Sequence, residues 1–320
     1  MYRIPDRVRF LAAVAATAAL PAPMRIAARS RLLRTLYKAN TRHADLIFIC
    51  HPKSGGTWFR VMLSRLYHVR YGLPPERIVK SDEFYNRDRA LPRFLFTNGH
   101  YTYESAVQGV LDDMGPGMAE GKKLVLLARH PCDVAVSWYL QFTKRTKAYK
   151  RELIASTLRQ PIDRERISMW DFVMHEELGL PALIEFHNMW ERRVAAGDGG
   201  LVVRYEDLRT HPVEAMSRVC EFVGAPFTRD EIEHAVEFAS FDNLRKLEQS
   251  GYFHNSGMAL RNPKDPDTFK VRRGKVGGYR DYFTDDQVAI MEEMVRERLS
   301  PTLGYDPAPH AAPARVADRA

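Results

Sequence analysis

Leu46-Ile47-Phe48-Ile49-Cys50-His51-Pro52-Lys53-Ser54-Gly55-Gly56-Thr57-Trp58 runs from an unbroken apolar segment into a glycine-rich turn. A short run with no polar interruption predicts a strand buried on both faces of a parallel sheet. After Trp58, the apolar residues Phe59, Met62, Leu63 and Leu66 recur at helical spacing, so the turn opens a helix. A helix N-terminus offers unpaired N–H groups and the positive end of a dipole, and two glycines let the backbone close around an oxyanion. The stretch therefore reads as an anion-binding loop, with Lys53 adding positive charge and Trp58 an aromatic surface. The plainer alternative is a strand-to-helix turn that bends on two glycines. Strand, Lys-Ser-Gly-Gly-Thr and helix in this order favour the anion site. It differs from the nucleoside-triphosphatase loop, where the lysine follows the second glycine.

A second segment has the same form. Leu124-Val125-Leu126-Leu127-Ala128 predicts another buried strand, ending at Arg129-His130-Pro131, with a helix from Asp133 to Phe142. In a doubly wound sheet, ligands bind beyond the carboxyl ends of strands, which would bring Arg129 and Ser137 near the first loop. Leu201-Val202-Val203 predicts a further strand, followed by helices over 212–223 and 229–238. Thr284-Asp285-Asp286-Gln287 has the spacing of a capping box and opens a last helix that should end near Ser300. Arg272-Arg273-Gly274-Lys275-Val276-Gly277-Gly278-Tyr279 mixes cations with glycines, and alone it would read as a solvated basic loop.

Pro52 to Trp58, Arg129-His130-Pro131 through Ser137, Arg204-Tyr205-Glu206-Asp207-Leu208 and Arg272-Arg273-Gly274 follow one another in the order found in sulfotransferases that use 3′-phosphoadenosine 5′-phosphosulfate (PAPS). The chain resembles the cytosolic type of that family from about Leu46 to Tyr305. The resemblance implies a single α/β domain over 44–305, with a central parallel sheet flanked by helices in a P-loop-like architecture. It implies PAPS as sulfuryl donor, PAP as product and no metal. Lys53 resembles the lysine that contacts the phosphosulfate, with Ser54, Gly55, Gly56 and Thr57 cradling that end. Trp58 resembles the adenine-stacking tryptophan, and Tyr205 the tyrosine near the adenine. Arg129, Ser137, Arg272, Arg273 and Gly274 resemble the residues that hold the 3′-phosphate, while Ser240 and Phe241 resemble a nucleotide-contacting pair. His100, beyond the expected strand 93–97, stands where the family places its catalytic histidine; His130 and His51 are the competing bases. A nucleotide-dependent phosphotransferase and a non-catalytic nucleotide- or polyanion-binding protein are the alternative readings.

Composition fits such a core. The chain has 320 residues, 45% hydrophobic and 28% charged, with a formal charge of +8 and three cysteines. So few thiols argue against a disulfide framework and suit a reducing compartment, while the resemblance implies a cytoplasmic active site. The cysteines read as small buried hydrophobes, and no His/Cys spacing matches a zinc site. Lys144, Arg145, Lys147, Lys150 and Arg151 form a basic cluster outside the donor motifs. It reads first as a solvated loop, and otherwise as a contact for an anionic acceptor or membrane headgroups. No nucleic-acid motif accompanies the charge. The acceptor, a small molecule, lipid or carbohydrate, should meet the irregular stretches 81–95, 143–168 and 249–269. Residues 1–43 combine arginines with an apolar run at 10–20, which suits a docking helix or peripheral membrane contact, with an exported leader as the lesser alternative. The Ala/Pro-rich tail 306–320 reads as disordered.

Overall fold

The computed structural model describes residues 6–78, 85, 89, 91–99, 121–196, 199–225, 227–253, 258 and 274–305. His100, Arg272 and Arg273 lie outside the described residues. In chain order the elements are α1 (Asp6–Ala16), α2 (Ala22–His43), β1 (Leu46–Cys50), α3 (Gly56–Tyr71), β2 (Phe94–Thr97), β3 (Lys123–Ala128) and α4 (Pro131–Leu140). A π turn (Gln141–Arg145), α5 (Ala148–Ala155), α6 (Met169–Val173), α7 (Leu180–Ala196), β4 (Gly200–Arg204) and α8 (Tyr205–Thr210) follow. Then come α9 (Pro212–Val223), α10 (Arg229–Phe238), α11 (Phe241–Gln249), a 3-10 turn (Gly278–Tyr282) and α12 (Asp285–Arg298).

Among the described residues four strands form one parallel sheet in the order β2-β1-β3-β4. The apolar runs of β1 and β3 occupy its centre, where helices cover both faces and every side chain of Leu46–Ile49 is buried. Ile47, Ile49, Leu124 and Leu126 face one core with α4 and α7, including Trp138, Leu183 and Trp190. Leu46, Phe48, Val125 and Leu127 face the other with α3, α9 and α10. Because the strands are parallel, all four deliver the chain to one edge of the sheet. The order reverses direction between β1 and β3, which leaves a crevice at that edge.

Local chemistry sets the helix boundaries. Thr228 and Thr284 each accept the third-residue N–H while Glu231 and Gln287 reach back, so both α10 and α12 start on a full capping box. α9 spans the expected Pro212–Val223 and stops on Gly224 in the left-handed conformation. Two boundaries differ from the sequence expectation. The helix after β3 starts at Pro131, since proline suits the first turn, and it gives way to the π turn at Gln141. The basic glycine segment closes on the 3-10 turn Gly278–Tyr282.

The N-terminal helices pack on this core. Leu33 and Ala13 are buried in it, and Arg25 and Arg29 of α2 both pair with Glu152 of α5. Among the described residues no helix is long and apolar enough to cross a membrane. Cys132 and Cys220 are buried free thiols, and burial pushes the Cys220 thiol up to about 12 and the Cys132 thiol well above its ordinary value.

Candidate functional site

β1 ends in a turn whose backbone is itself unusual. Lys53 is the one non-glycine among the described residues with positive φ, at 84°, and Gly55 follows at 91° as the residue preceding α3. A lysine held in the left-handed region costs on the order of 1 kcal/mol, so the loop stores strain at this point. No side chain caps α3, which leaves its first-turn N–H groups facing the loop. Space is equally tight. A Cβ on Gly55 would meet the Tyr205 ring at 2.6 Å, and one on Gly56 would meet Cys50 Sγ at 2.4 Å. Ser54 is fully buried beneath the loop, and its Oγ has no hydrogen-bond partner among the described residues.

Arg129 joins the loops that leave the separate strands. Its guanidinium donates to the Lys53 carbonyl at 3.1 Å and, at 3.4 Å, to the Lys275 carbonyl, and it lies 4.3 Å above the centre of the Tyr205 ring. Asp133, 3% exposed in the first turn of α4, pairs with Arg129 at 3.6 Å. The same carboxylate accepts N–H groups from Gly277 at 2.9 Å and Tyr279 at 3.0 Å. One buried acid thus fixes both the arginine and the basic glycine segment. Glu206 does similar work beside it, accepting the His130 N–H at 3.0 Å and the Tyr305 hydroxyl at 2.8 Å.

An aromatic group forms the adjoining wall. Trp58 donates Nε1–H to the Ala239 carbonyl at 2.7 Å, which fixes the indole plane. Tyr205 meets it edge-on at 5.6 Å, and the Arg209 guanidinium lies 5.7 Å from the indole centre. Burial pushes the Tyr205 hydroxyl above its ordinary pKa, so it stays neutral. The Phe241 ring lies 3.0 Å from where a Gly274 Cβ would stand, and the left-handed φ of 60° there favours glycine.

These groups surround a cavity of about 490 Å³ at the β1/β3 crevice. Lys53, Gly55, Gly56, Thr57, Trp58, Arg129, Ser137, Tyr205, Phe241 and Gly274, all expected from sequence, line it together. Ser54 lies under the loop rather than on the wall. Ser240 is exposed as the residue preceding α11 and does not line the cavity; Ala239 beside it contributes the carbonyl that holds Trp58. Sequence reasoning missed Arg209 and Lys275. Arg209 stands four residues after Tyr205 on α8, a spacing that places both on one helix face and could have revealed it. It also read Lys144 to Arg151 first as a solvated loop. Lys144 and Lys147 are exposed, but Arg145 is 6% exposed and lines the cavity with Lys150, which corrects that reading for two of the five.

The chain reaches Gly99, just before His100, at the carboxyl end of β2, where the Gly99 carbonyl accepts the Trp190 indole N–H at 3.0 Å. Of the two competing histidines, His51 lines the cavity and His130 stacks flat on Tyr279 at 5.3 Å. Burial drives His51 well below 6.5, and its Nδ1 meets the Pro52 carbonyl at 2.6 Å. Burial also lowers His130 and the fully buried His187 to about 4. Neutral buried imidazoles have a consequence for stability. Below the unfolded value of about 6.5 the unfolded chain takes up protons that the native protein refuses until about pH 4. Stability is therefore full above this window and falls as pH drops through it, by about 2 kcal/mol between pH 7 and pH 5 for each of His130 and His187. Urea midpoints should drop correspondingly between those pH values, and His187→Phe should reduce the slope. Equal midpoints at pH 7 and 5 would contradict this origin. No group of three or more His, Cys, Asp or Glu among the described residues is placed to hold a metal ion.

Comparison with known proteins bears on this geometry. The profile of the sulfotransferase domain matches residues 43–302. A flavonol 3-sulfotransferase of Flaveria bidentis is 23% identical over 284 residues, covering 81% of this chain and 82% of its own. Cytosolic sulfotransferase 13 of Arabidopsis thaliana is 24% identical over 276 residues, covering 81% and 78%. Among solved structures, mouse sulfotransferase SULT7A1 complexed with PAP has the same fold, with a TM-score of 0.51 at 19% identity over 80% of this chain and 84% of that one.

Proposed function

Because this chain belongs to the sulfotransferase domain family, we propose that it moves a sulfuryl group from PAPS to a hydroxyl or amine of a small-molecule acceptor, in the cytoplasm. One observation carries the reading: a strained lysine, a glycine cradle, a fixed tryptophan and a buried Arg–Asp pair converge on one cavity at the sheet's switch point. The unpartnered Ser54 hydroxyl and the cradle that a Cβ would fill fit an anionic group at the loop. Lys53, the α3 N-terminal N–H groups and Thr57 would hold the phosphosulfate end, while Trp58, Tyr205 and Phe241 would hold the adenine. Arg129 and Ser137, with Gly274 and the neighbouring Arg272 and Arg273, would hold the 3′-phosphate; Ser240 would act at most from outside the cavity. When bound, the donor supplies the sulfuryl group and leaves as PAP.

The chain's own contribution is alignment and field. Lys53 and the helix N-terminus put positive potential where negative charge accumulates on the departing phosphate oxygen. Trp58 and Tyr205, locked by their neighbours, fix the position of the reacting end without reorganisation. His100 is our candidate to take the acceptor's proton, since a base is needed at the same sheet edge and both His51 and His130 are held neutral with depressed basicity.

The test is calorimetry in the presence of chelator. Adenosine 3′,5′-bisphosphate should bind at least about tenfold more tightly than adenosine 5′-monophosphate, since each charge-assisted contact to the added phosphate contributes on the order of 1.5–3 kcal/mol before ordering costs. Equal affinities, or binding that requires magnesium, would favour the phosphotransferase reading instead.

A further inference from the structure

α1 is apolar on both of its faces. On the inner side Ala13 is buried in the core, and Phe10 meets the Tyr149 ring of α5 edge-on at 5.7 Å. On the outer side Val8, Leu11, Ala12 and Ala15 follow at helical spacing, and all four are exposed. A helix that is apolar all round is ordinarily buried all round. The same surface continues through the turn into α2. Every exposed residue from Val8 to Ala27 is alanine, proline, valine, leucine or methionine. Val8, Leu11, Met24 and Leu32, each at least 42% exposed, are four of the seven large exposed apolar residues among the described ones. An uninterrupted exposed apolar surface marks a place where something docks.

The hairpin that carries this surface is held in shape from inside. Arg25 donates to the Leu20 carbonyl at 2.8 Å and Arg29 to the Thr17 hydroxyl at 3.0 Å, and both arginines pair with Glu152. Arg9 donates to the Asn40 side chain at 3.2 Å, tying α1 to the far end of α2. Charge is gathered on the same piece of chain. Residues 1–43 hold nine Lys or Arg against Asp6 alone, and the remainder carries equal numbers of the two signs. The whole formal charge of +8 thus belongs to the N-terminal segment. Along α2, Met24, Ala27, Arg31, Thr35 and Arg42 form one exposed stripe that passes from apolar near the turn to cationic beyond it.

These features select the occupant. A protein partner would be met by aromatic anchors and hydrogen-bonding groups, and the exposed side chains from Val8 to Ala27 include neither. A bilayer surface asks only for apolar volume at the acyl boundary and cations at the level of the phosphates. We infer that the α1–α2 hairpin docks the protein on the surface of a bilayer that contains anionic lipid. The turn and its flanks enter the headgroup–acyl boundary, and Arg31 and Arg42 lie among the phosphates. Attachment is peripheral, since neither helix is long and apolar enough to span. Docking of this kind is independent of the reaction assigned to the cavity, although α2 also brings Tyr37 to the cavity wall.

Sedimentation of the full chain with vesicles tests it. Vesicles of about three parts phosphatidylcholine to one part phosphatidylglycerol should bind the protein at least about tenfold more tightly than phosphatidylcholine alone, and about 0.5 M salt should remove most of that difference. Leu11→Asp with Met24→Asp should weaken binding to the anionic vesicles about tenfold or more. Arg31→Gln with Arg42→Gln should weaken it by about fivefold per charge removed and leave binding to phosphatidylcholine within about threefold. Urea midpoints check folding, and if the aspartate pair unfolds the protein, the glutamine pair on exposed side chains decides. No binding to the anionic vesicles, equal binding to both kinds, or binding that survives the substitutions would overturn the docking. A dimer in sedimentation velocity that the aspartate pair dissociates would give the face to a second copy of the chain and overturn it as well.

Discussion

Lys53→Ala should lower the rate of sulfuryl transfer by about 10²–10³-fold, the usual cost of removing one preorganised charge from the transition state. The loss should fall on kcat, measured in single turnover at saturating donor, with the urea midpoint close to that of the parent. The backbone makes a sharper comparison available. At φ 84° the native lysine occupies a region that glycine enters without penalty. Lys53→Gly should therefore be at least as stable as the parent, about 1 kcal/mol of relieved strain being largely offset by glycine's greater freedom in the unfolded chain, and yet as inactive as the alanine variant. A glycine variant that is active, or one that is less stable than the parent, would mean that the strain has another origin or that Lys53 has no part in the chemistry.

Asp133→Ala should destabilise the fold by about 3–5 kcal/mol, because it leaves the Arg129 guanidinium without its buried partner and two backbone N–H groups without an acceptor. The damage should also appear in binding. Arg129 and the 274–279 segment lose their common anchor, so affinity for PAP should fall by about a hundredfold even in variant protein that is folded at low temperature. Asp133→Asn keeps one acceptor oxygen of similar shape and should recover part of the stability but less of the affinity, since an amide does not neutralise the arginine. Thermal melts and calorimetry on the same samples check both halves. Stability lost without any loss of PAP affinity would show that Asp133 supports the fold alone.

The central fold was readable because buried parallel strands announce themselves as short uninterrupted apolar runs. β1, β3 and β4 each carry one, and the segments that follow these three strands hold most of the residues that converge. The capping boxes at α10 and α12 were readable for the same reason, being local chemistry. What stayed hidden depends on direction rather than composition. Lys144, Arg145 and Lys147 look alike in sequence, and only the π turn decides that Arg145 points inward. Apolar periodicity carries no signal for an inserted residue in a helix whose flanks are both well formed. The apolar run near the N-terminus raised the same difficulty, since its length and charge suit several fates. In its described part Ala13 is buried and Thr17 accepts from Arg29 at 3.0 Å.

Tyr37 lies ahead of the segment that matches the sulfotransferase profile, yet its side chain reaches the same cavity as Lys53 and Arg129. The helix that brings it there is fastened through two arginines to Glu152, on the helix that also carries Lys150. Exchange of α1–α2 together with residues 141–155 between relatives should thus transplant a preference for one clientele of acceptors while leaving the donor machinery in place. The cavity is in this sense bounded by chain outside the domain that gives the family its name.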